Sequence, residues 1–257
     1  MEMDFERRFG GVRRLYGEAG LAKLTGAHVV VVGIGGVGSW AAEVLARNAV
    51  GSITLIDLDN IAESNFNRQL PAVEGNIGKP KVTAMCERIL AINPSCQVRQ
   101  IEDFITPENI EQLLHFSFDG LIDCVDDAKA KVALINFCKR ANVPIVVSGG
   151  AGGRLDPARI QLADLAHVHG DKLIAKVRNV LRKDYAFPQG NNTPKKSPKF
   201  GISCIYSDEP VTKPVMASCD IAQGVSGLNC AGYGSAVSVT ATFGMLAAQV
   251  TLNQVLQ

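Results

Sequence analysis

The chain has 257 residues, of which 47% are hydrophobic and 20% charged, with a formal net charge of +1. That length carries one large α/β domain with a well-buried core or two small ones, and the near-neutral balance excludes a chain that is basic throughout. Seven cysteines, at 86, 96, 124, 138, 204, 219 and 230, contain no Cys-x-x-Cys pair, so a zinc ribbon is not encoded; their odd number and apolar settings point to a reducing, cytoplasmic environment.

Residues 1–15 are charged, carry Arg7, Arg8, Arg13 and Arg14, and lack the apolar run of a signal peptide; they read as a basic helical arm. His28-Val29-Val30-Val31-Val32 is a continuous apolar run, as expected of a strand covered on both faces. It enters Gly33-Ile34-Gly35-Gly36-Val37-Gly38, after which 39–49 predicts a helix, and 52–56 a second buried strand ending at Asp57. The alternation goes on with a helix over 81–92, a strand over 96–101, a short helix over 107–115, a strand over 119–124, a helix over 128–141 and a strand over 143–147. Strands and helices alternating at this spacing imply a doubly wound, mostly parallel, Rossmann-like sheet with helices on both faces. After Ser148 the pattern changes. A glycine run over 149–153 precedes extended structure over 155–165, a helix over 171–183, an exposed loop rich in Pro, Asn, Gly and Lys over 187–199, and a strand over 200–206. No charged residue occurs from 221 to 257, yet 236–256 holds Ser, Thr, Gln and Asn and reads as a buried or interface helix beginning near Gly234, not a membrane span. No long linker divides the chain. It reads as one domain over 1–257, with a nucleotide-binding core over 15–149 and a C-terminal extension over 150–257 for substrate binding and dimerisation.

The glycine loop lies between a strand and a helix, the context in which free N–H groups at a helix N-terminus receive phosphate. With Asp57 for a ribose, this much suits NAD as well as ATP. The residues that follow favour a triphosphate and its metal. Asp57, Asp59, Ser64, Asn65, Asn67 and Arg68 share one loop, Lys81 opens the next helix, and Asp126 and Asp127 follow another strand. Magnesium prefers one or two carboxylates plus phosphate oxygens, which Asp126 is placed to give.

Gly-x-Gly-Gly-x-Gly, Asp-x-Asp, Ser-Asn-x-x-Arg-Gln, Gly-x-x-Lys and Asp-Cys-x-Asp, in this order over 15–149, resemble the ubiquitin-activating-type adenylating enzymes, which include bacterial activators of sulfur carriers. The resemblance implies that Gly33, Gly35, Gly36 and Gly38 form the ATP loop. It implies Asp57 on the ribose with Asp59 beside it, Ser64, Asn65 and Arg68 about the phosphates, Lys81 on the β/γ charge and Asp126 on Mg²⁺. Asp127 stands where an Asn is common in the family. Arg68, Lys81 and Asp126 would carry the catalysis. A homodimer is implied, with an arginine of the N-terminal arm reaching the partner's ATP; Arg7, Arg8, Arg13 and Arg14 compete for that role, and Arg8 is the candidate.

The paired Cys-x-x-Cys motifs usual in sulfur-carrier activators are missing, whereas Arg8-Phe-Gly-Gly11, Leu15-Tyr-Gly17 and the glycine run over 149–153 are similar to the branch that dehydrates threonylcarbamoyladenosine in tRNA. That similarity implies ATP-dependent adenylation of the threonyl carboxylate, followed by intramolecular closure to the cyclic form. Residues 171–199 hold eight basic and two acidic residues and so carry +6, which leaves −5 for the rest. Lys183, Lys195, Lys196 and Lys199 are the candidate tRNA contacts on this segment. Two other functions compete. Activation of a ubiquitin-like carrier would use Cys204, Cys219 or Cys230 for a thioester and a cysteine desulfurase or sulfur acceptor as partner, and an NAD-linked oxidoreductase is disfavoured by the Asn-x-Asn-Arg-Gln run and Lys81.

Overall fold

A computed structural model of the chain describes residues 4–190, 197–212 and 233–257. Seven strands form one sheet: β1 His28–Val32, β2 Ser52–Ile56, β3 Gln97–Ile101, β4 Gly120–Asp123, β5 Ile145–Ser148, β6 Ile160–Asp164 and β7 Ser203–Ser207. Their order is β3-β2-β1-β4-β5-β7-β6, and every pairing is parallel except β6 with β7. The second half of the chain therefore lengthens the same sheet, with β7 added in parallel to β5.

Strand alternation sorts the core into two layers. Val29 and Val31 of β1 face one side with Ile53, Leu55, Ile122 and Val146. That side is covered by α2 (Gly38–Arg47), α3 (Lys81–Ile92), α7 (Val237–Leu256) and the end of α1 (Phe5–Gly26). Val30 and Val32 face the other side, under α4 (Ile110–Leu113), α5 (Ala128–Ala141) and α6 (Lys172–Asp184). A continuous valine run is stable here because both of its faces are dry; each such side chain contributes about 1.5–3 kcal/mol on burial. Local chemistry sets the helix ends. Asp127 Oδ1 accepts the Ala130 N–H (2.8 Å), Asp171 Oδ1 accepts that of Ile174 (2.9 Å), and Asn142 closes α5 in a left-handed conformation.

The structure departs from the sequence reading in three places. The helix expected over 107–115 is limited to Ile110–Leu113. Asn109 accepts the Thr106 N–H (2.8 Å) and donates to the Phe104 carbonyl (2.7 Å), which holds the preceding residues in a turn that competes with the helix. The loop over 187–199 is not uniformly exposed. Phe187 is buried, meets Phe200 edge-to-face (4.8 Å between centroids) and receives Lys139 on its ring face (3.7 Å), while Ser197 is also buried. The extended stretch over 155–165 begins with a 3-10 turn, Pro157–Arg159, capped by Asp156. No described helix is long and apolar enough to cross a membrane.

Candidate nucleotide site

The strand order reverses direction between β1 and β4, and the crevice outside their C-terminal ends is where open α/β sheets bind ligands. Here it is a cavity of about 180 Å³. Its lining includes Gly35, Gly36 and Val37 after β1, Arg68, and Cys124, Val125 and Asp126 after β4. Ser148 at the end of β5, the following Gly149 to Gly152, Arg154, Asp171 and Lys172 line it too.

The four loop glycines have different reasons. Gly33 has φ +86° and lies 3.0 Å, at the position of a would-be Cβ, from the Cys124 carbonyl carbon. A Cβ on Gly38 would run into the Gly33 carbonyl oxygen, so α2 packs against the loop only because that atom is missing. Gly35 has open space where its side chain would be, and Gly36 faces Arg68 and Thr240; both line the cavity. No side chain caps the N-terminus of α2, and its first turn holds no acidic residue, so the positive end of its dipole is not neutralised locally.

Asp57 fixes the loop from β2. Its Oδ2 accepts the Ile34 N–H (2.6 Å) and its Oδ1 the Asp59 N–H (2.9 Å). Burial raises its pKa above the ordinary carboxylate value, against the opposing pull of Lys81 and these N–H groups. Lys81 is itself buried; its Nζ lies 2.6 Å from Asp59 Oδ2 and 3.8 Å from Asp57 Oδ1. The charge that the sequence assigned to phosphates is thus held between two carboxylates. Ser64 and Asn65 form the turn that carries Arg68. Asn65 Oδ1 accepts the Ala62 N–H (3.0 Å), and Arg68 Nη1 donates to the Ser64 carbonyl (2.6 Å) and to Asn67 Oδ1 (2.9 Å). Trp40 Nε1 holds the Arg68 carbonyl (3.1 Å). Asp127 turns away to cap α5, whereas Asp126 faces the cavity.

Beneath this edge lies an ion pair absent from the sequence reading. Asp123, the last residue of β4, and Lys131, in α5, are both fully buried, with Nζ 3.1 Å from Oδ1. Burial pushes the Asp123 carboxyl up and Lys131 restrains it, while Oδ1 also accepts the Val125 N–H (3.1 Å) and so shapes the loop that presents Asp126. Burial raises the pKa of each described thiol and so weakens it as a nucleophile. Burial pushes Cys124 and Cys138 up to about 12, and Cys204 is fully buried and raised further.

Other sequence candidates lie away from the cavity. Arg8 Nη1 donates to the carbonyls of Ala91 (3.3 Å) and Ile92 (2.7 Å) at the C-terminal end of α3. Arg7 pairs with Asp4, and Arg13 with Glu6 and Glu18. Lys183 and Lys199 are exposed; Lys195, Lys196, Cys219 and Cys230 lie outside the described residues. In the basic segment Arg178 is committed to the carbonyl of Val168 (2.6 Å) and Arg182 to that of Pro188 (3.2 Å), so part of its charge is structural. The sequence singled out neither Arg154 nor Ser148 for the cavity. The signal was an arginine directly after a five-residue run of glycines and alanine.

A switch-point cavity lined by a glycine loop and by Arg68, Arg154 and Lys172, with the acid that ends the second strand holding that loop, defines a nucleotide-binding α/β protein. The ThiF family matches residues 9–257, and the chain belongs to that family. It is 47% identical over 256 residues to the tRNA threonylcarbamoyladenosine dehydratase of Haemophilus influenzae, covering 99% of this chain and 95% of that one. It is 43% identical to the Escherichia coli dehydratase of the same name, over 98% of this chain and 94% of the other. The crystal structure of E. coli tRNA N6-threonylcarbamoyladenosine dehydratase in complex with ATP superposes with a TM-score of 0.86 at 42% identity, covering 99% and 96% of the two chains.

Proposed function

We propose that the chain dehydrates N6-threonylcarbamoyladenosine beside the tRNA anticodon to its cyclic form, consuming ATP. The observation that carries this is one cavity lined both by the glycine loop with Arg68 and Asp126 and by the segment after β5 with Arg154. In this reading a triphosphate and a second, carboxylate-bearing substrate meet there. Near end-to-end similarity to relatives bearing that dehydratase name supports the same reading.

A carboxylate is a poor electrophile until it carries a leaving group. One of its oxygens attacks the α-phosphate, the bond to pyrophosphate breaks, and the resulting acyl-adenylate loses AMP when the neighbouring carbamoyl group closes on the carbonyl. The closing step is intramolecular, so held geometry supplies much of the acceleration. The chain's own part is to bind and neutralise. Gly35 and Gly36 present backbone to phosphate, Arg68 and Lys81 balance its charge, and Asp57 receives the ribose. Lys81 reaches a phosphate by leaving Asp59, its 2.6 Å partner. Among the described residues no group of three or more His, Cys, Asp or Glu converges on one point. Asp126, in a cavity assigned to phosphates, fits Mg²⁺, which would complete its shell from phosphate and water. When bound, the ion spreads negative charge off the phosphates.

A homodimer belongs to this reading, with Arg8 exchanging its α3 carbonyls for a partner's phosphate, and Lys183, Lys195, Lys196 and Lys199 serve the tRNA. The carrier-activation alternative gains nothing from Cys204, which is too buried and too weakly acidic to accept a thioester. The test is AMP release from ATP with tRNA that carries or lacks the threonylcarbamoyl group, and mass spectrometry of the product nucleoside. AMP formed only with the modified tRNA, with loss of one water from the nucleoside, is the expected result; AMP formed with a ubiquitin-like protein instead would overturn it.

A further inference from the structure

Among the described residues, Arg154 is a buried cation with most of its hydrogen-bonding capacity unspent. It is 2% exposed, and Nη2 donates to the Gly170 carbonyl at 3.2 Å. Nε and Nη1 have no hydrogen-bond partner among the described residues. A guanidinium does not deprotonate in a protein, so this charge is not removed by titration, and a buried charge with unmet donors is costly. Such a group persists where a ligand completes it, and Arg154 lines the cavity that holds the phosphate loop.

Its surroundings are arranged to hold it there. Gly153, at φ +71°, donates to the Gly234 carbonyl (2.8 Å) and accepts from the Thr212 N–H (2.8 Å). A carboxylate of Glu209 takes the N–H groups of Leu155 and Asp156 (both 3.0 Å) just after it. The backbone on both sides of Arg154 is therefore fixed before any ligand arrives. Asp171, which lines the same cavity, is already engaged: it accepts the N–H groups of Gly150 (2.8 Å) and Ile174 (2.9 Å). Gly149 packs so closely on Asp171 that a side chain there would strike its carboxylate.

The ligand that fits is an anion other than the triphosphate. The groups assigned to phosphate, Gly35, Gly36 and Arg68, come from the segments after β1 and β2, whereas Arg154 follows the glycine run after β5 and lines the same cavity. A planar fork of donors matches a planar carboxylate. We propose that Arg154 binds the carboxylate of the threonylcarbamoyl group and so selects modified over unmodified tRNA, turning one carboxylate oxygen toward the α-phosphate. This rests on the function proposed above and adds the residue that recognises its substrate.

Two measurements on the full chain test it. Wild-type protein is first assayed for AMP release with modified tRNA; failure here sinks the dehydratase reading and this assignment together. Arg154→Ala and Arg154→Gln are then compared with wild type for binding of modified and unmodified tRNA, for KM and for ATP affinity. Losing a charged hydrogen-bonding partner costs about tenfold or more in affinity. Arg154→Ala is expected to raise KM for modified tRNA by at least that factor and to bind both tRNAs alike, with ATP affinity unchanged; Arg154→Gln, which keeps one donor group, should lose less. Preserved preference for modified tRNA in Arg154→Ala, while wild type is active, would overturn the assignment alone. Thermal unfolding separates a structural role: removing an uncompensated buried charge leaves Arg154→Met at least as stable as wild type, and a large fall in its melting temperature would overturn the proposal.

Discussion

Replacing Lys131 by Met removes one half of an ion pair in which both side chains have no solvent exposure. The methionine fills a similar volume, so the cost comes from electrostatics and not from a cavity. Asp123 keeps the Val125 N–H on Oδ1 but loses its counter-charge at 3.1 Å. Breaking a buried pair from one side costs about 3–5 kcal/mol, whereas replacing both partners by uncharged groups is often neutral. The stranded carboxyl has one escape, which is to bind a proton. Burial already raises its pKa above 3.8, and losing Lys131 raises it further. The native variant then holds a proton that the unfolded chain releases above the ordinary aspartate range. Folding therefore takes up a proton, and the destabilisation grows as pH rises through and above that range. Urea unfolding at about pH 5 and about pH 8 should show a larger deficit at the higher pH for Lys131→Met, and recovery of most of it in the double variant Asp123→Asn with Lys131→Met. A single variant within about 1 kcal/mol of wild type at both pH values, or a double variant as unstable as the single, would refute the assignment of this pair as a mutually compensated core charge.

Three further outcomes follow from the site. Asp126→Ala should abolish AMP release while leaving the urea midpoint unchanged, because Asp126 lines the cavity and is no part of the core; turnover at the wild-type rate with Mg²⁺ would remove it from the metal site. Gly38→Ala drives a methyl group into the Gly33 carbonyl, a backbone atom that cannot swing aside, so it should cost about 1–3 kcal/mol or more and weaken ATP binding, checked by calorimetry. His28 has a lowered pKa, chiefly through burial, against the pull of the Ser117 carbonyl. The native state then binds fewer protons than the unfolded state just below 6.5, so stability falls as pH drops through that value, and His28→Gln should flatten this part of the profile.

The legible parts of this chain were those whose chemistry is local. The all-valine strand, the glycine loop and the aspartate that caps α5 each declare themselves within a few residues, and α5 lies over Ala128–Ala141 as its pattern predicts. The sequence could place Gly35, Gly36, Arg68 and Asp126 on one rim because strand ends in a parallel sheet share an edge. It could not say that Lys81 is held between Asp57 and Asp59, since that depends on how the loop between them folds back. Nor could it find Asp123 with Lys131: an acid closing a strand and a lysine in the next helix read as solvated until both faces of the sheet are covered. Arg154 was hidden for a related reason, because its acceptor, the Gly170 carbonyl, and the residues that hold the neighbouring Gly153, Thr212 and Gly234, are all distant in sequence.

The packing of α7 on α2 has a consequence for how the molecule is made. Thr240 stands beside Gly36, and Gly244 lies so close to the Val37 carbonyl and Trp40 that no side chain would fit there. The phosphate loop is synthesised early, but the helix against which it rests comes from the far end of the chain, and β7 must join β5 before β6 has its antiparallel neighbour. These are contacts of high sequence separation, which slow folding. A ribosome-bound chain lacking α7 carries the nucleotide motifs without the surface that seats them. ATP binding should therefore appear abruptly and late in synthesis, when the last helix docks, and nascent chains halted before residue 237 should not be held by immobilised ATP.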